Sequence, residues 1–234
     1  MCGRFTLTID DVEQLAALLG VEVEPAQVER YRPRFNVAPT DEHWIVRAGA
    51  RERLLPASWG VGANRQILTR VENARSRTML ADPAAGHRCV VAADGFFEWT
   101  GEKGHRRPVW FHRPDAGPGA ESDRLVLLGA LCTESKDGFR FSILTTPANE
   151  VVAPVHDRMP VVIPTAALGA WLTTTDPKAL ASMLRPAPAA SLIGTEVDVR
   201  VNVVGNDDPA CLAPPAPVSV AAAAAKRRGQ LRLF

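Results

Sequence analysis

The chain has 234 residues, 46% of them hydrophobic, and its 27 basic and 26 acidic side chains leave a formal net charge of +1. This length and composition predict one well-packed domain with room for an appendage. The near-neutral charge argues against nucleic-acid binding through a general excess of cations. Arginine nevertheless outnumbers lysine, which indicates either a local arginine-lined groove or only a GC-rich genome.

The four cysteines stand at positions 2, 89, 132 and 211, without a C-x-x-C pair or a histidine at zinc-finger spacing. We therefore expect no structural metal and no cofactor. The N-terminal residues are polar and charged, and no apolar run reaches the length of a membrane span. The expectation is a monomer in the reducing cytoplasm, without a membrane partner.

The first predicted element is a helix over Asp10–Leu19, capped by Asp10 or Thr8. Short strands separated by Gly, Pro and Asp turns follow, at Trp44–Val46, Arg53–Ala57, Arg88–Ala92, Val109–His112, Leu125–Leu131, Phe139–Leu144 and Val161–Ile163. Two further helices are predicted at Thr165–Leu172 and Pro177–Leu184. The pattern predicts an α+β fold with a mainly antiparallel, curled or barrel-like β-sheet core and a few flanking helices.

From Pro214 the composition changes to proline and alanine, so residues 2–213 are predicted to form a single domain and residues 214–234 a flexible tail. The tail carries apolar side chains near its end, where a polar tether is expected. Gln230, Leu231, Leu233 and Phe234 resemble the bacterial peptide that binds the replication sliding clamp. The alternative is that Leu233 and Phe234 fold back on the domain.

Cys2 directly follows Met1, so removal of Met1 would expose an α-amine and a thiol on adjacent carbons. Such an aminothiol traps aldehydes, because the amine forms an imine and the thiol closes onto the imine carbon to give a thiazolidine. Since ordinary pKa values are about 7.7–8.0 for the amine and about 8.5 for the thiol, we expect a reactive fraction of each at neutral pH. A buried, unreactive cysteine is the alternative.

Further blocks of sequence accompany this N-terminus in a fixed order. The blocks are Met1–Phe5, Arg34–Pro39, Asn73–Arg75, Ala93–Trp99 and Val155–Pro160. Together they closely resemble the SOS response-associated peptidase (SRAP) family. The resemblance implies a nucleoid-associated sensor and shield of abasic sites in single-stranded DNA, which forms a thiazolidine crosslink through Cys2 in the DNA damage response.

The resemblance also implies a catalytic set of Cys2, Asn73, Glu98 and His156. Glu98 lies among aromatic residues, where an apolar pocket would raise its pKa and suit it to proton transfer beside the terminal amine. His156 would assist ring opening of the sugar and imine exchange. Asn73 would orient the sugar or the amine. A solvated surface glutamate and a structural histidine are the alternatives.

DNA contacts are expected from a second set of residues. Arg4 and Arg75 would hold phosphates, with Thr145 and Arg158 as further candidates, and Pro39 and Trp59 would stack against bases. A buried core position is the alternative for Trp59. The remaining histidines, His43, His87, His105 and His112, receive no functional assignment.

Two segments depart from the family pattern. Arg77 stands where the family usually has a glutamate, so it either has a different partner or adds a cation to the DNA groove. The segment after Trp59 and the short Met79–Gly86 loop lack the family's usual tryptophan-containing stretch. The preferred DNA junction is therefore expected to differ.

Two other functions stay open. Cys2, Glu98 and His156 would also suit a cysteine-type peptidase that removes Met1 autocatalytically. An imine intermediate makes abasic-site lyase chemistry accessible as a side reaction. The third interpretation is a non-covalent, clamp-associated module that binds single-stranded DNA.

Overall fold

A computed structural model describes residues 2–47, 53–102, 104–114 and 124–216, with only the backbone described for residues 74–76. Its strands are β1 (Phe5–Leu7), β2 (Arg34–Val37), β3 (Glu42–Arg47), β4 (Arg53–Trp59), β5 (Leu68–Arg70), β6 (Arg88–Val91), β7 (Gly95–Thr100), β8 (Arg107–His112), β9 (Leu127–Ser135), β10 (Gly138–Pro147), β11 (Arg158–Pro160), β12 (Val162–Ile163) and β13 (Ile193–Glu196). Its α-helices are α1 (Val12–Leu19), α2 (Pro25–Val28), α3 (Ala74–Ala81), α4 (Leu168–Thr173) and α5 (Pro177–Met183). Short 3₁₀ turns lie between these elements.

A closed barrel forms the centre of the fold. Strands β10, β4, β3, β6 and β9 pair in that order, and β9 also pairs with β10, so the sheet returns on itself. The pairs around this ring are antiparallel except for β10 with β4. Closure satisfies the backbone hydrogen bonds that an open sheet would leave at its edges. The predicted fold class, a mainly antiparallel and barrel-like α+β fold, is confirmed.

An open sheet lies beside the barrel and carries the N-terminal segment. Its strand order is β13, β8, β7, β1 and β2, and all neighbours are antiparallel. Strand β1 therefore lies between β7 and β2, with Phe5 opposite Phe96 on one side and Val37 on the other. The residues just before β1 are consequently held inside a sheet.

One hydrophobic core joins the open sheet to the barrel. Phe96 and Phe111 from the sheet belong to the same buried cluster as Trp59 and Phe141 from the barrel. The Trp59 and Phe141 rings are stacked, with centroids 6.0 Å apart and planes 7° from parallel. Burial of one such side chain stabilises a fold by about 2–3 kcal/mol. This shared core gives the sheet a firm support.

The helices cover a second buried cluster, and their limits differ in part from the predictions. Helix α1 begins after Asp11, whose carboxylate accepts the backbone N–H groups of Glu13 and Gln14 at 2.8 and 3.3 Å. The predicted caps, Asp10 and Thr8, are therefore wrong, because the chain becomes helical only after Asp11. Residues 165–167, predicted as the first turn of a helix, form a 3₁₀ turn ahead of α4.

Several elements were not predicted. Strands β1, β2 and β7 coincide with the sequence blocks described above, and β1 has only three residues. Met79–Gly86, interpreted as a loop, contains the end of α3 and a 3₁₀ turn at Pro83–Ala85. The α3 sequence ARSRTMLA is mostly polar or small, so it carries little helical periodicity.

Among the described helices, none combines the length and apolar character that crossing a membrane requires. Residues 217–234 lie outside the described part of the chain. The predicted tail and its docking residues therefore stay a prediction, as does the division of the chain at residue 213.

Asp94 ties β1 to the turn before β7. Its buried carboxylate accepts hydrogen bonds from Thr6 Oγ1 at 2.5 Å, Thr8 N at 2.6 Å and Thr8 Oγ1 at 2.5 Å. The Asp94 backbone N–H donates in turn to the Thr6 carbonyl at 3.0 Å. Hydrogen bonds to a charged group are stronger than neutral ones. This clasp fixes the position of β1, and of the residues before it, against β7.

Replacing Asp94 with alanine is expected to lower the free energy of unfolding by about 3 kcal/mol, because the buried Thr6 hydroxyl and two half-buried donors of Thr8 lose their acceptor. Urea denaturation measures the change. Asp137→Ala is the matched control, since that carboxylate is 63% exposed and makes one long ion pair of 3.9 Å with Arg140. Its effect should stay below about 0.5 kcal/mol. Equal losses in the two variants would contradict the clasp.

His43 is expected to make stability depend on pH. Its buried Nε2 lies 2.7 Å from the Ala92 carbonyl, and burial lowers the pKa of the ring from 6.5 to about 4. Between pH 6.5 and about pH 4, the His43 ring is mostly protonated in the unfolded chain but neutral in the folded protein. The free energy of unfolding is therefore highest above pH 6.5, as far as His43 determines it, and falls by on the order of 3 kcal/mol as the pH decreases to about 4.

His43→Gln, which keeps a side-chain N–H donor and does not titrate, should flatten this part of the pH dependence. The measurement compares urea midpoints of both proteins at several pH values across that window. Identical pH dependences would show that another group is responsible.

Candidate active site

The pairing of β1 with β7 brings Cys2 close to Glu98. The register that sets Phe5 opposite Phe96 continues towards the N-terminus, because the Phe97 N–H donates to the Arg4 carbonyl at 3.0 Å. Both side chains are buried, Cys2 with 1% and Glu98 with 2% of its surface exposed. The interpretation of Glu98 as a solvated surface residue is therefore excluded.

Burial sets the protonation of these two groups. It raises the pKa of the Cys2 thiol well above its usual value, and the negative charge of Glu98 raises it further. Burial also raises the pKa of the Glu98 carboxyl, which the charge of His156 opposes. Cys2, Glu98 and His156 thus form one electrostatic cluster. This buried thiol therefore needs a neighbouring base to take its proton. The reactive fraction expected after removal of Met1 stays a prediction.

His156 follows a tightly held turn. Its N–H donates to the Val152 carbonyl at 3.0 Å, and Val152 belongs to the same buried cluster as Cys2. The His156 Nδ1 atom accepts the Arg158 N–H at 3.0 Å and lies 3.0 Å from the Asp157 carboxylate. The Nδ1 atom also lies 3.3 Å from the Arg158 carbonyl, so it faces one donor and two acceptors. The ring is partly exposed, with 25% of the side-chain surface accessible.

Asn149 organises the turn before His156 and was missed by the sequence analysis. Its Oδ1 accepts the N–H groups of Val151 and Val152 at 3.1 and 3.0 Å, and its Nδ2 donates to the Ala187 carbonyl at 3.0 Å. An asparagine that binds its own following backbone is a turn signal that was readable from the sequence. The hydrogen bond from Asn149 to the Ala187 carbonyl was not readable from the sequence, because the two residues are far apart in the chain.

An ion pair joins the Asn73 segment to the His156 segment. Glu72 accepts two hydrogen bonds from the Arg158 guanidinium, at 2.9 and 3.0 Å. Asn73, the next residue, lies exposed at the start of α3. A bidentate pair of this kind fixes both distance and orientation. Two blocks that are far apart in the sequence are therefore held side by side.

The same ion pair changes the interpretation of two predicted phosphate contacts. Arg158 also donates to the Thr145 carbonyl at 2.5 Å and to its hydroxyl at 3.2 Å, and Thr145 is buried. Arg158 thus binds both Thr145 and Glu72. In this arrangement they stabilise the site internally, and a phosphate would have to displace Glu72 to reach Arg158.

A groove of about 1210 Å³ begins beside Cys2, at Gly3 and Arg4. Basic residues on its walls are Arg4, His105, Arg106 and Arg107, and apolar ones include Pro39, Trp99, Val199 and Val204. Positive charge interleaved with apolar and aromatic surface is the combination that single-stranded nucleic acid requires. Arg4 and Pro39, predicted to contact DNA, both line the groove, and their DNA contacts stay a prediction.

Arg4 is held at the head of the groove by neutral acceptors. Its Nη1 donates to Asn36 Oδ1 at 2.8 Å and to the Val201 carbonyl at 3.0 Å, and its guanidinium carbon lies 6.0 Å from the centre of the Trp99 ring. Because these acceptors carry no charge, the positive charge of Arg4 is available to a phosphate.

The structure does not support base stacking by Trp59. This side chain is 1% exposed, and its Nε1 donates to the Ile67 carbonyl at 2.9 Å. The core interpretation is the correct one. Arg77, the cation in place of the family's glutamate, donates to the Glu72 carbonyl at 2.9 Å. The side chain of Arg75 lies outside the described residues.

The outer part of the groove was not predicted from the sequence. It is formed by Trp99, Arg106, Arg107 and the Val199–Val204 segment. A tryptophan and two arginines close together in one hairpin were a readable signal of a stacking surface. The valines carried no such signal, because valine alone predicts a core position. Within the described ranges, no three His, Cys, Asp or Glu side chains converge as metal ligands would.

Similar proteins are known from several organisms. The chain is 28% identical over 227 residues to the abasic site processing protein YoqW of Bacillus subtilis (strain 168), with 89% of this chain and 97% of YoqW covered. It is 29% identical over 225 residues to the abasic site processing protein HMCES of Gallus gallus, with 79% of this chain and 67% of HMCES covered.

The fold is also shared. An X-ray structure of a protein from Bacteroides thetaiotaomicron superposes with a TM-score of 0.73 at 17% identity, covering 91% of this chain and 99% of that one. At this identity the likeness shows the fold alone. The family model described as SOS response associated peptidase matches residues 1–204. Because this match spans most of the chain, the chain belongs to the SOS response-associated peptidase family.

Proposed function

We propose that this protein processes abasic sites in single-stranded DNA by linking them covalently to Cys2. The observation that supports the proposal best is the electrostatic cluster of Cys2, Glu98 and His156. The two residues that follow Cys2, Gly3 and Arg4, line a groove with basic and apolar walls. Relatives that are named abasic site processing proteins support the choice of substrate.

The proposed reaction needs a free Cys2 amine and therefore begins with removal of Met1. The amine adds to the aldehyde carbon of the ring-opened sugar, and one water leaves to give an imine. The sulfur then adds to the imine carbon while the thiol proton reaches the nitrogen through a base, which closes the thiazolidine. One aldehyde and one aminothiol thus yield one ring and one water, without an oxidant or reductant.

Glu98 is the proposed proton shuttle of this sequence. A carboxyl whose pKa is raised by burial keeps a protonated fraction closer to neutral pH, so the same group can donate to the leaving hydroxyl and accept from the thiol. His156 would donate a ring proton to the sugar ring oxygen during ring opening. Asn73 would orient the sugar or the amine.

Phosphates on either side of the lesion are assigned to Arg4 and Arg75, with Pro39 against a neighbouring base. Abasic-site lyase activity is proposed as a side reaction, because β-elimination is accessible from the imine. Gln230, Leu231, Leu233 and Phe234 are proposed to dock the protein on the sliding clamp, close to replicating DNA in a damage response.

The geometry favours crosslinking over a thiol peptidase. A cysteine peptidase activates its sulfur through an adjacent imidazole. Among the described residues, the hydrogen bond of the Cys2 thiol goes to the Arg4 carbonyl, at 3.8 Å, and the charge that acts on it most is that of Glu98. This arrangement suits a terminal amine with a carboxyl shuttle better than a thiolate–imidazolium pair.

Cys2→Ala is expected to abolish the heat-stable crosslink to an oligonucleotide with one abasic site, while keeping the terminal amine. Borohydride should therefore still trap an imine with this variant. Cys211→Ala, which alters another buried cysteine, is the control and should crosslink as the wild type does. Denaturing gels separate the products. A heat-stable link without Cys2 would overturn the proposal and favour lysine chemistry.

Glu98→Gln is expected to slow crosslinking at least 100-fold, the usual minimum for loss of general acid–base catalysis. Single-turnover kinetics at saturating protein measure the rate. An unchanged rate would remove Glu98 from the mechanism.

The same variant should be more stable than the wild type at neutral pH. The folded pKa of Glu98 is raised above the ordinary value of 4.5, so the folded state binds this proton more tightly and loses stability as pH rises through the folded pKa. Glutamine does not titrate, so the difference in urea midpoint should be smallest near pH 4 and grow towards neutral pH. A constant difference would contradict the raised pKa.

A further inference from the structure

We propose that Val199 and Val204 form an apolar rim that contacts the nucleobases next to the abasic site, on the groove wall shared with Trp99. The inference rests on the proposed function and extends it to a surface that selects the DNA around the lesion. Both valines line the groove that begins beside Cys2.

The exposure of these side chains is unusual for their surroundings. Val199 is 55% and Val204 53% exposed, whereas the neighbouring Val197 and Val201 are buried. A single exposed valine needs no explanation. Two of them in one groove, together with the half-buried Trp99, form an apolar surface of the kind that marks a binding site.

The backbone that carries the rim is fixed by a buried asparagine. The Asn36 amide donates to the carbonyls of Val201, Val203 and Asn206, at 3.2, 3.1 and 2.7 Å. Asn36 itself is anchored on β2, where its N–H donates to Asp207 at 2.9 Å. The valines are therefore presented on a segment that is already ordered, which lowers the entropic cost of binding.

The rim is also joined directly to the basic wall of the groove. Trp99 Nε1 donates to Asn202 Oδ1 at 2.6 Å, and Asn202 Nδ2 donates to the Arg106 carbonyl at 3.2 Å. Arg4 binds the Val201 carbonyl at 3.0 Å. Apolar rim, tryptophan and two arginines thus keep constant positions relative to one another and to Cys2.

Charge and shape together favour bases of a single strand as the occupant. The described residues that line the groove include Arg4, Arg106 and Arg107 but no carboxylate. Arg107 also makes an exposed ion pair of 3.3 Å with Glu196, which a phosphate can replace because both side chains are accessible to solvent. Phosphates suit these cations, and unpaired bases present the flat apolar faces that valine and tryptophan can cover. Trp59 is buried in the core and offers no surface to DNA, so the exposed valines of the rim supply the apolar surface instead.

The test measures DNA affinity with and without bases beside the lesion. The oligonucleotides carry one tetrahydrofuran residue, an abasic analogue that has no aldehyde and cannot crosslink. They have either ordinary nucleotides or base-free spacer residues on its 5′ side or its 3′ side. The double variant V199S/V204S is expected to bind the ordinary oligonucleotide about tenfold more weakly, because methyl groups of both valines lose their contact with bases. The wild type should lose a similar factor when the bases are removed on the side that meets the rim.

Removing both the valine side chains and the bases that they contact should lower the DNA affinity little more than removing either one alone. On the oligonucleotide without bases on that side, V199S/V204S and the wild type should bind within about twofold of each other. The decrease in affinity caused by V199S/V204S should not depend on salt concentration. Arg106→Gln, in contrast, should weaken binding to all oligonucleotides and reduce the salt dependence of binding. Val203→Ser is the matched control, since Val203 is 58% exposed but does not line the groove, and its affinity should not change.

Each outcome separates the rim from the proposed function. Wild-type affinity in V199S/V204S would overturn the rim, and so would an equal loss on DNA with and without bases, which would indicate a backbone or folding effect. Urea midpoints exclude unfolding as the cause. If the wild type binds DNA with a natural abasic site but does not crosslink to it, the proposed function fails, and the affinity comparison still decides the rim.

Discussion

The pairing of β1 with β7 is the interaction on which the rest of the site depends. Chain termini usually fray because few contacts hold them. Here the first strand lies between two others in an open sheet, and the Asp94 clasp and a shared aromatic core hold it there. Cys2 is consequently an ordered, buried residue beside Glu98. A reactive group at a terminus gains from this order, because a fixed position replaces the search for a productive geometry.

Burial has opposite consequences for stability and chemistry. It raises the pKa of both the Cys2 thiol and the Glu98 carboxyl, so each loses its charge more readily than it would in water. A buried carboxyl that ionises destabilises the fold, yet the same perturbation lets it hold a proton at a higher pH than an exposed carboxyl does. The barrel and its core supply the stability that such a site needs.

The strands with a strong apolar pattern were predicted correctly. The roles of residues that bind partners from distant segments were not. The barrel strands β3, β4, β9 and β10 alternate or run apolar and were predicted. Strand β1 is too short to show a pattern, and α3 too polar. Arg158 and Thr145 had suitable chemistry for phosphates, but their internal partners, above all Glu72, come from another part of the chain and leave no local signal.

The sequence by itself determined the fold class, the family and the identity of Cys2, Glu98 and His156 as candidate site residues, because these follow from residue types in a recognisable order. Only the tertiary structure decided which side chains are buried, which cations have partners and which apolar residues face a groove. These properties arise from contacts between distant segments, such as Asn36 with the Val201–Asn206 loop. A linear pattern carries no information about such contacts, since the energies involved depend on distance in space.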